Sequence, residues 1–211
     1  VQECVDIMYD AFDVSEKYRV PVMILGDGML GQIMEPVELP EFKDLSKLPR
    51  KTWATYGDNK GKDRQIINSL LIEPDVLERH NHLLFDTYKE IADNETMCEE
   101  YLCSDAEIVL TAYGTVARIA KSAVDILRSR GIKVGLLRPI TLYPFPEKAF
   151  LKVAEQDCVK EFVCIELSMG QMIEDVKIST QMKKPVKFYG RVGGNVMTPE
   201  DIVKFVTEED K

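Results

Sequence analysis

Histidines and long apolar runs are scarce in this chain of 211 residues, and basic residues are fewer than acidic ones. Its 27 lysines and arginines are outnumbered by 36 aspartates and glutamates, which gives a formal net charge of -9. Because nucleic-acid affinity comes largely from basic side chains that release counterions, this charge argues against a nucleic-acid partner. No run approaches the roughly 20 apolar residues that cross a bilayer, and the start has no signal-peptide pattern. We therefore expect no membrane contact and a cytoplasmic location.

Ligand sets for a metal ion or an iron–sulfur cluster are also lacking. The five cysteines are scattered, and Cys98 and Cys103 do not have the C-x₂-C spacing of cluster-binding loops. His80 and His82 lie two positions apart, whereas ligands on one helix face are three or four apart. There is no Gly-x-Ser-x-Gly elbow and no Walker motif. The sequence predicts reduced thiols, no metal site and no self-contained catalytic set.

The second half of the chain is regular. Four strand-like segments, AEIVLTA, IKVGLL, EFVCIEL and VKFY, each precede a helical pattern. This alternation predicts an α/β fold with a mostly parallel sheet and helices on both faces. Thr198-Pro-Glu-Asp201 is typical of a helix start. The helix after Gly114 is predicted by a stripe of Val116, Ile119, Ala120, Ala123, Val124 and Leu127.

The first hundred residues are less regular. Residues 1–20 carry a broad apolar stripe that predicts a helix buried against a sheet, and residues 21–25 predict a short buried strand. Prolines and clustered charges from Pro36 to about Asp63 predict a surface linker. After Pro74, a polar helical pattern predicts a long helix that reaches roughly Tyr101.

One glycine motif requires a separate test. Gly26-Asp-Gly28-Met-Leu-Gly31 matches the G-x-G-x-x-G fingerprint of dinucleotide sites. That fingerprint needs a helix that begins at the glycines and holds the pyrophosphate, but Pro36 follows closely and Asp27 would repel a phosphate. We interpret the motif as a tight turn at a strand end, with glycines at positive φ.

Candidate site residues lie where the later strands end, because ligands of open α/β sheets bind beyond the carboxyl ends of the strands. A dinucleotide is disfavoured there, since the first turn has one glycine and the second strand ends at Arg138 instead of an acid. Helix N-termini near Thr115 and Gly170, with the nearby arginines, could receive an anion such as a partner's carboxylate; helix capping or internal salt bridges are the alternative. The residues expected to face a partner domain or subunit are Gly114, Thr115, Arg138, Glu166, Gln171, Arg191, Gly193 and Gly194.

Taken in order, PVMILGDGMLGQIMEPVEL, DAEIVLTAYGTVARIAKSAVDILRSRGIKVGLLRPITLYPFP, IELSMGQM and YGRVGGNVMTPEDI resemble the α subunit of 2-oxoacid:ferredoxin oxidoreductases, nearest to the 2-oxoisovalerate type. Such enzymes decarboxylate a 2-oxoacid on thiamine diphosphate, pass electrons through iron–sulfur clusters to ferredoxin and release acyl-coenzyme A. The resemblance implies that thiamine diphosphate, Mg²⁺ and the clusters belong to the complete enzyme, and that this part binds none of them and is inactive alone. It implies a β subunit and γ and δ subunits as partners, with ferredoxin and coenzyme A reached through the complex.

The resemblance also implies a division of the chain. Residues 1–40 resemble the carboxy-terminal end of the thiamine-pyrimidine domain, residues 41–104 a linker with a long helix, and residues 105–211 a transketolase carboxy-terminal-like domain. The apolar stripe of residues 1–20 makes a homodimer of the isolated chain plausible. Two alternatives stay open: a transketolase-like domain of another thiamine-dependent 2-oxoacid enzyme, and a stand-alone nucleotide-binding α/β module.

Overall fold

The computed structural model describes residues 1–49, 51–55 and 65–208, and it divides the chain into two compact units. One unit comprises Val1–Val22 with Glu35–Lys89. The other comprises Met23–Met34 and the chain from Glu90 onward. These units cut across the domain boundaries expected from the sequence, which stay a prediction.

The first unit is built around helix α1 (Gln2–Tyr18) and an extended segment, residues 35–44, that runs alongside the helix. The Gln2 side chain donates to the carbonyl of Glu38 at 3.0 Å and accepts from its N–H at 2.8 Å. Lys43 Nζ lies 2.6 Å from Asp13 and 4.0 Å from the centre of the Tyr9 ring. These contacts are polar, so this unit is held together by surface interactions more than by an apolar core.

Two predictions for this region are wrong. Helix α1 exists, but its apolar stripe is half-buried at most, and Phe12 is 69% exposed. Residues 21–25 form no strand, and Leu25 is 73% exposed. An apolar run becomes a strand only when a neighbouring strand pairs with it, and the described residues supply none here.

The predicted linker contains no strand or α-helix over residues 36–49 and 51–55, where it has one 3₁₀ turn, Leu45–Lys47. Residue 50 and residues 56–63 of that prediction lie outside the described residues. Helix α2 (Pro74–Asn94) follows and exposes most of its length. Within the described part of the chain, neither α2 nor any other helix is long and apolar enough to cross a membrane.

The second unit contains a five-stranded sheet with the strand order β1-β3-β2-β4-β5. Strands β2 (Ile108–Thr111), β3 (Val134–Pro139), β4 (Glu161–Glu166) and β5 (Val186–Gly190) are parallel, as the alternation of segments predicts. Helices α3 (Gly114–Ser129) and α6 (Pro199–Glu208) pack together on one face of the sheet. Helices α4 (Glu147–Ala154) and α5 (Met172–Ser179) pack together on the other face.

The apolar stripe of α3 is buried as predicted. Ala120, Ala123 and Leu127 are fully inaccessible and pack with Ile202 of α6. The start of α6 is also confirmed, because Thr198 Oγ accepts from the Asp201 N–H at 3.2 Å while Asp201 accepts from the Thr198 N–H at 2.9 Å. This reciprocal capping satisfies two backbone donors at the helix end.

Strand β1 (Cys98–Tyr101) is antiparallel to β3, and it occupies residues that the sequence assigned to the end of the long helix. The helix ends at Asn94 instead of near Tyr101. The sequence did not predict this strand because its acidic residues interrupt the apolar pattern. In the structure they are paired with basic side chains, since Glu99 accepts hydrogen bonds from Arg138 at 2.8 Å and from Lys121 at 2.9 Å. Tyr101 also donates to Asp125 at 2.6 Å. Charged edge strands of this kind resist pairing with other chains.

Candidate functional site

The strand order reverses at β2. The chain passes from β2 to β3 on one side and returns to β4 on the other side, so the crevice beyond β2 and β4 is the topological switch point where α/β sheets bind ligands. The N-termini of α3 and α5 lie at this edge. Neither helix has a capping hydrogen bond from its own N-cap side chain, at Tyr113 and Gln171. Both therefore require acceptors from elsewhere.

Glu166 supplies the acceptor for α5. Its carboxylate receives hydrogen bonds from the backbone N–H groups of Gln171 at 3.0 Å, Met172 at 3.1 Å and Ile173 at 3.0 Å. The Ser168 hydroxyl donates to it at 2.7 Å, and the Cys164 thiol donates at 3.3 Å. The anion expected at this helix end is thus the chain's own carboxylate, and a partner's carboxylate is not needed there.

Glu166 is 2% exposed, so its carboxylate lies inside the fold. Burial alone would raise its pKa, but the hydrogen bonds from Gln171, Ser168, Met172 and Cys164 outweigh burial and hold the pKa below its ordinary value. The group is an anion at neutral pH, fixed by donors on several sides. Its geometry indicates an internal role, whereas the sequence suggested contact with a partner.

Asp27 lies at the N-terminus of α3. A Cβ added to Gly114, which has a φ of 56°, would be 3.7 Å from Asp27 Oδ2. Burial opposes ionisation of Asp27, yet hydrogen bonds from the Thr115 side chain, from the Leu30 N–H and from the Thr115 and Met29 N–H groups leave its pKa lowered. A carboxylate is favoured at this position because helix N-termini carry partial positive charge.

The glycine motif is therefore a turn, but for a different reason than the sequence suggested. No α-helix begins at the glycines, and a 3₁₀ turn, Leu30–Gln32, follows instead. Gly26, Gly28 and Gly31 are absent from the positive-φ glycines. The turn is closed by Asp27, whose Oδ1 accepts from the Leu30 N–H at 2.7 Å and whose carbonyl accepts from the Gly31 N–H at 3.2 Å.

The remaining expected residues divide into two groups. Arg138 forms an ion pair with Glu99. Of the two roles considered for this arginine, the structure shows the internal salt bridge. Arg191, Gly193 and Gly194 lie beyond β5, and the two glycines have φ of 68° and 83° with open space where a Cβ would be. The Arg191 N–H donates to the Glu166 carbonyl at 3.1 Å, which joins the loop beyond β5 to the loop beyond β4.

The two loops are held closely. At Gly190, an added Cβ would be 2.6 Å from the Ser168 carbonyl oxygen and 2.5 Å from Phe188 Cζ, so only glycine fits. Met169 is 82% exposed at the tip of the first loop. The apolar side chains exposed in the loops at this edge are Leu142, Tyr143, Leu167, Met169, Val192 and Val196.

The chemistry available at this edge is limited. Burial and the neighbouring Glu166 raise the pKa of the Cys164 thiol far above its ordinary value, so it is not a thiolate nucleophile. The pKa of Tyr113 is also raised, mainly by burial and to a smaller extent by the nearby Glu166 and Cys164. Among residues 1–49, 51–55 and 65–208, no group of three or more histidine, cysteine or acidic side chains is placed to hold a metal ion. All five cysteines are free thiols.

Comparison with known protein families gives two matches that together span most of the chain. Residues 1–100 match the family model "Pyruvate flavodoxin/ferredoxin oxidoreductase, thiamine diP-bdg", and residues 106–202 match "Pyruvate:ferredoxin oxidoreductase core domain II". The chain belongs to the 2-oxoacid:ferredoxin oxidoreductase family. The resemblance seen in the sequence is confirmed.

Curated relatives support the same family. The chain is 43% identical over 208 residues to "Ketoisovalerate oxidoreductase subunit VorB" of Methanothermobacter marburgensis, a match that covers 99% of this chain and 58% of the relative. It is 31% identical to "2-oxoglutarate synthase subunit KorA" of Methanocaldococcus jannaschii, over 98% of this chain and 61% of the relative. It is 28% identical to "Pyruvate synthase subunit PorA" of Methanothermobacter thermautotrophicus, a match that covers 97% of this chain and 58% of the relative. The chain thus spans about three fifths of these relatives.

A solved structure confirms the α/β fold. The 2-oxoglutarate:ferredoxin oxidoreductase from Magnetococcus marinus, described with 2-oxoglutarate, coenzyme A and succinyl-CoA bound, superposes with a TM-score of 0.75. It is 22% identical, and the match covers 99% of this chain and 41% of that one.

Thiamine diphosphate is the cofactor that the family implies. The described residues do not form a site for its metal-bound diphosphate: they contain no metal-binding cluster, and both helix N-termini at the switch point have carboxylates of the chain itself beside them. A diphosphate placed there would meet like charge from Asp27 and Glu166.

Proposed function

We propose that this chain is part of the α subunit of a thiamine-diphosphate-dependent 2-oxoacid:ferredoxin oxidoreductase, in which it has a positioning role. The oxidative decarboxylation yields acyl-coenzyme A and reduced ferredoxin, and the chemistry takes place on groups held elsewhere in the assembly. The observation that carries the proposal is the run of two family matches along the chain, together with identities of 43% to a ketoisovalerate oxidoreductase subunit and 31% to a 2-oxoglutarate synthase subunit.

The structure supports a positioning role in two ways. The anion sites at the switch point are neutralised internally by Asp27 and Glu166, which disfavours a nucleotide ligand. The same edge exposes apolar side chains such as Tyr143 and Met169, which suit contact with another protein surface. We propose the β subunit, with γ and δ subunits, as the polypeptides of the assembly, and iron–sulfur clusters and Mg²⁺ as groups bound outside this chain.

Substrate choice follows the similarity. Greater identity to the ketoisovalerate enzyme subunit than to the 2-oxoglutarate and pyruvate enzyme subunits favours a branched-chain 2-oxoacid. A pocket shaped for a branched side chain separates substrates that differ by one methylene by about 10- to 200-fold.

The test is reconstitution of the whole enzyme. The full-length subunit is produced with its partner subunits, and coenzyme A-dependent ferredoxin reduction is measured with 2-oxoisovalerate, pyruvate and 2-oxoglutarate. We expect the largest kcat/KM for 2-oxoisovalerate, by at least about tenfold, and no turnover by the 211-residue chain alone. Turnover by the isolated chain, or tight thiamine diphosphate binding to it, would contradict the positioning role. Binding of NAD, FAD or ATP at micromolar concentration would favour a nucleotide-binding module instead.

A further inference from the structure

The proposed function assigns no role to the GDGMLG turn, residues 26–31. It lies in the segment that matches the thiamine-diphosphate-binding family model, whereas Gly114 and Thr115 lie in the segment that matches core domain II. In the structure, residues 23–34 nevertheless belong to the same compact unit as the sheet. The turn is therefore a place where the two family segments meet.

Asp27 makes contacts on both sides of this meeting point. Oδ1 receives the Leu30 N–H at 2.7 Å and so closes the turn itself. Oδ2 faces the first residue of α3, 3.7 Å from the position of a Gly114 Cβ, and the neighbouring Thr115 contributes to the lowered pKa of the same carboxylate. A side chain at Gly114 would be strained at its positive φ and would crowd this contact.

A second aspartate shows what a purely local role is like. Asp44 opens the 3₁₀ turn Leu45–Lys47, and its Oδ1 receives the Ser46 N–H at 3.0 Å and the Ser46 hydroxyl at 2.6 Å. Its other oxygen lies 3.6 Å from Lys47 in the same turn. Among the described residues, Asp44 contacts only its own turn, whereas Asp27 contacts its own turn and a helix far away in the sequence.

We propose that Asp27 is a positioning residue, which acts through Thr115 and the N-terminus of α3 to hold residues 26–32 at the carboxyl edge of the sheet. The carboxylate takes the place of the missing N-cap side chain of α3, and the glycine motif provides the tight turn that presents it. The turn of the segment matched to thiamine binding is thereby fixed to core domain II, in addition to the pairing of β1 with β3. The activity consequence of this inference rests on the proposed function; the contact itself does not.

The contact is tested by hydrogen–deuterium exchange on the full-length subunit within its complex. Asp27→Ala, Thr115→Val, the double variant and the control Asp44→Ala are compared with the unmodified enzyme. Asp27→Ala should speed exchange about five- to tenfold in both residues 26–32 and residues 114–118, the loss typical of a removed helix cap. Thr115→Val should have a smaller effect of the same kind, and the double variant should be little worse than Asp27→Ala, since coupled residues are not additive. Asp44→Ala should affect only residues 44–48.

The activity of the same variants separates positioning from stability. Displacing a positioned segment by about 1 Å can cost up to about a hundredfold in rate, so Asp27→Ala should lower kcat at least about tenfold while KM for the 2-oxoacid changes little. Asp44→Ala should leave both constants unchanged. Exchange that rises only within residues 26–32, or effects of Asp27→Ala and Thr115→Val that multiply, would overturn the contact. A normal kcat in Asp27→Ala with faster exchange in both segments would overturn its positioning role. If the unmodified complex lacks 2-oxoacid activity, the proposed function fails while the exchange result still decides the contact.

Discussion

Glu166 and Asp27 occupy comparable places at two helix N-termini, but their surroundings differ. Glu166 is enclosed by the β4–α5 turn and has backbone donors from three successive residues, beginning at Gln171. Asp27 is exposed and meets α3 from a distant part of the sequence. A buried carboxylate without its donors is costly, so the fold depends far more on Glu166.

Glu166→Gln tests this dependence. An amide offers one oxygen acceptor, and its NH₂ would face backbone N–H donors, so we expect the free energy of unfolding to fall by about 2–3 kcal/mol. The measurement is urea unfolding at pH 7, with Glu174→Gln as the control. Glu174 is solvent-exposed and is paired with Lys177 within the same helix, so its replacement should change stability by about 0.5 kcal/mol or less. Equal losses in both variants would show that the buried carboxylate is not special.

The pH dependence gives the same contact a second test. The pKa of Glu166 is lowered from its ordinary value of 4.5. Its contribution to stability is therefore complete above the pKa of the unfolded chain and is lost as pH falls through the lower folded value. The stability difference between the unmodified chain and Glu166→Gln should be constant above about pH 5 and shrink below about pH 4.5. A difference that grows on acidification would contradict the lowered pKa.

Residue roles at the switch point were only partly predictable. Glu166 and Gln171 fall in one strand-to-helix turn, so their proximity could be inferred from local sequence. The burial of the Glu166 carboxylate could not, because it depends on how the β4–α5 turn folds back. Asp27 was considered only as a group that repels phosphate, since its contact with Gly114 joins segments whose approach no local pattern encodes.

At the scale of elements, the loops beyond β4 and β5 behave as one structure. Gly190 lies against the Ser168 carbonyl, and the Arg191 N–H donates to the Glu166 carbonyl. The exposed side chains of Met169 and Val192 are thus carried on a backbone that is fixed before any partner binds. Such preorganisation lowers the entropy cost of association.

Gly190→Ala should break this arrangement. The new methyl group would approach the Ser168 oxygen at 2.6 Å, so the two loops must separate, and overpacking of this kind costs about 1–3 kcal/mol. Gly28→Ala is the matched control, because its Cβ meets no atom within 4 Å. Thermal unfolding should show a clear loss for Gly190→Ala and almost none for Gly28→Ala. If the two variants melt alike, the loops are not tightly coupled.

Helices and strands were predicted well where buried residues give the sequence a regular apolar spacing. They were predicted poorly where polar contacts, and not apolar burial, hold the element in place. Strands β2, β3 and β4 and helix α3 bury mostly apolar side chains, and the alternation of segments identified them together with β5. Strand β1 has two adjacent glutamates that are stabilised by Lys121, Arg138 and Lys152, so no apolar alternation marked it. The strand predicted for residues 21–25 is wrong for the opposite reason. Their composition is apolar, but no strand of the described part of the chain pairs with them.

At the scale of the whole molecule, the apolar core is distributed unevenly. Among residues 1–22, 35–49, 51–55 and 65–89, Tyr18 is the single buried apolar side chain. The sheet unit contains the fully inaccessible Leu110, Phe150 and Phe162 and both core clusters. Since local stability follows buried apolar contacts, opening of the first unit should cost much less free energy than unfolding of the sheet.

Native-state hydrogen exchange of the chain should therefore separate the two units. We expect amides of β2, β4 and α3 to exchange slowest and to report the global free energy of unfolding, while amides of α1 exchange at least about a hundredfold faster. Brief trypsin treatment should cut first within the first unit and leave a fragment that retains β1 to α6. Phe12→Glu, on the exposed side of α1, should leave both patterns unchanged, because that side chain has little packing to lose. Protection of α1 equal to that of β4 would mean that its exposed face is covered, and the self-association expected of the isolated chain would then be the first explanation to test, by repeating the exchange after dilution.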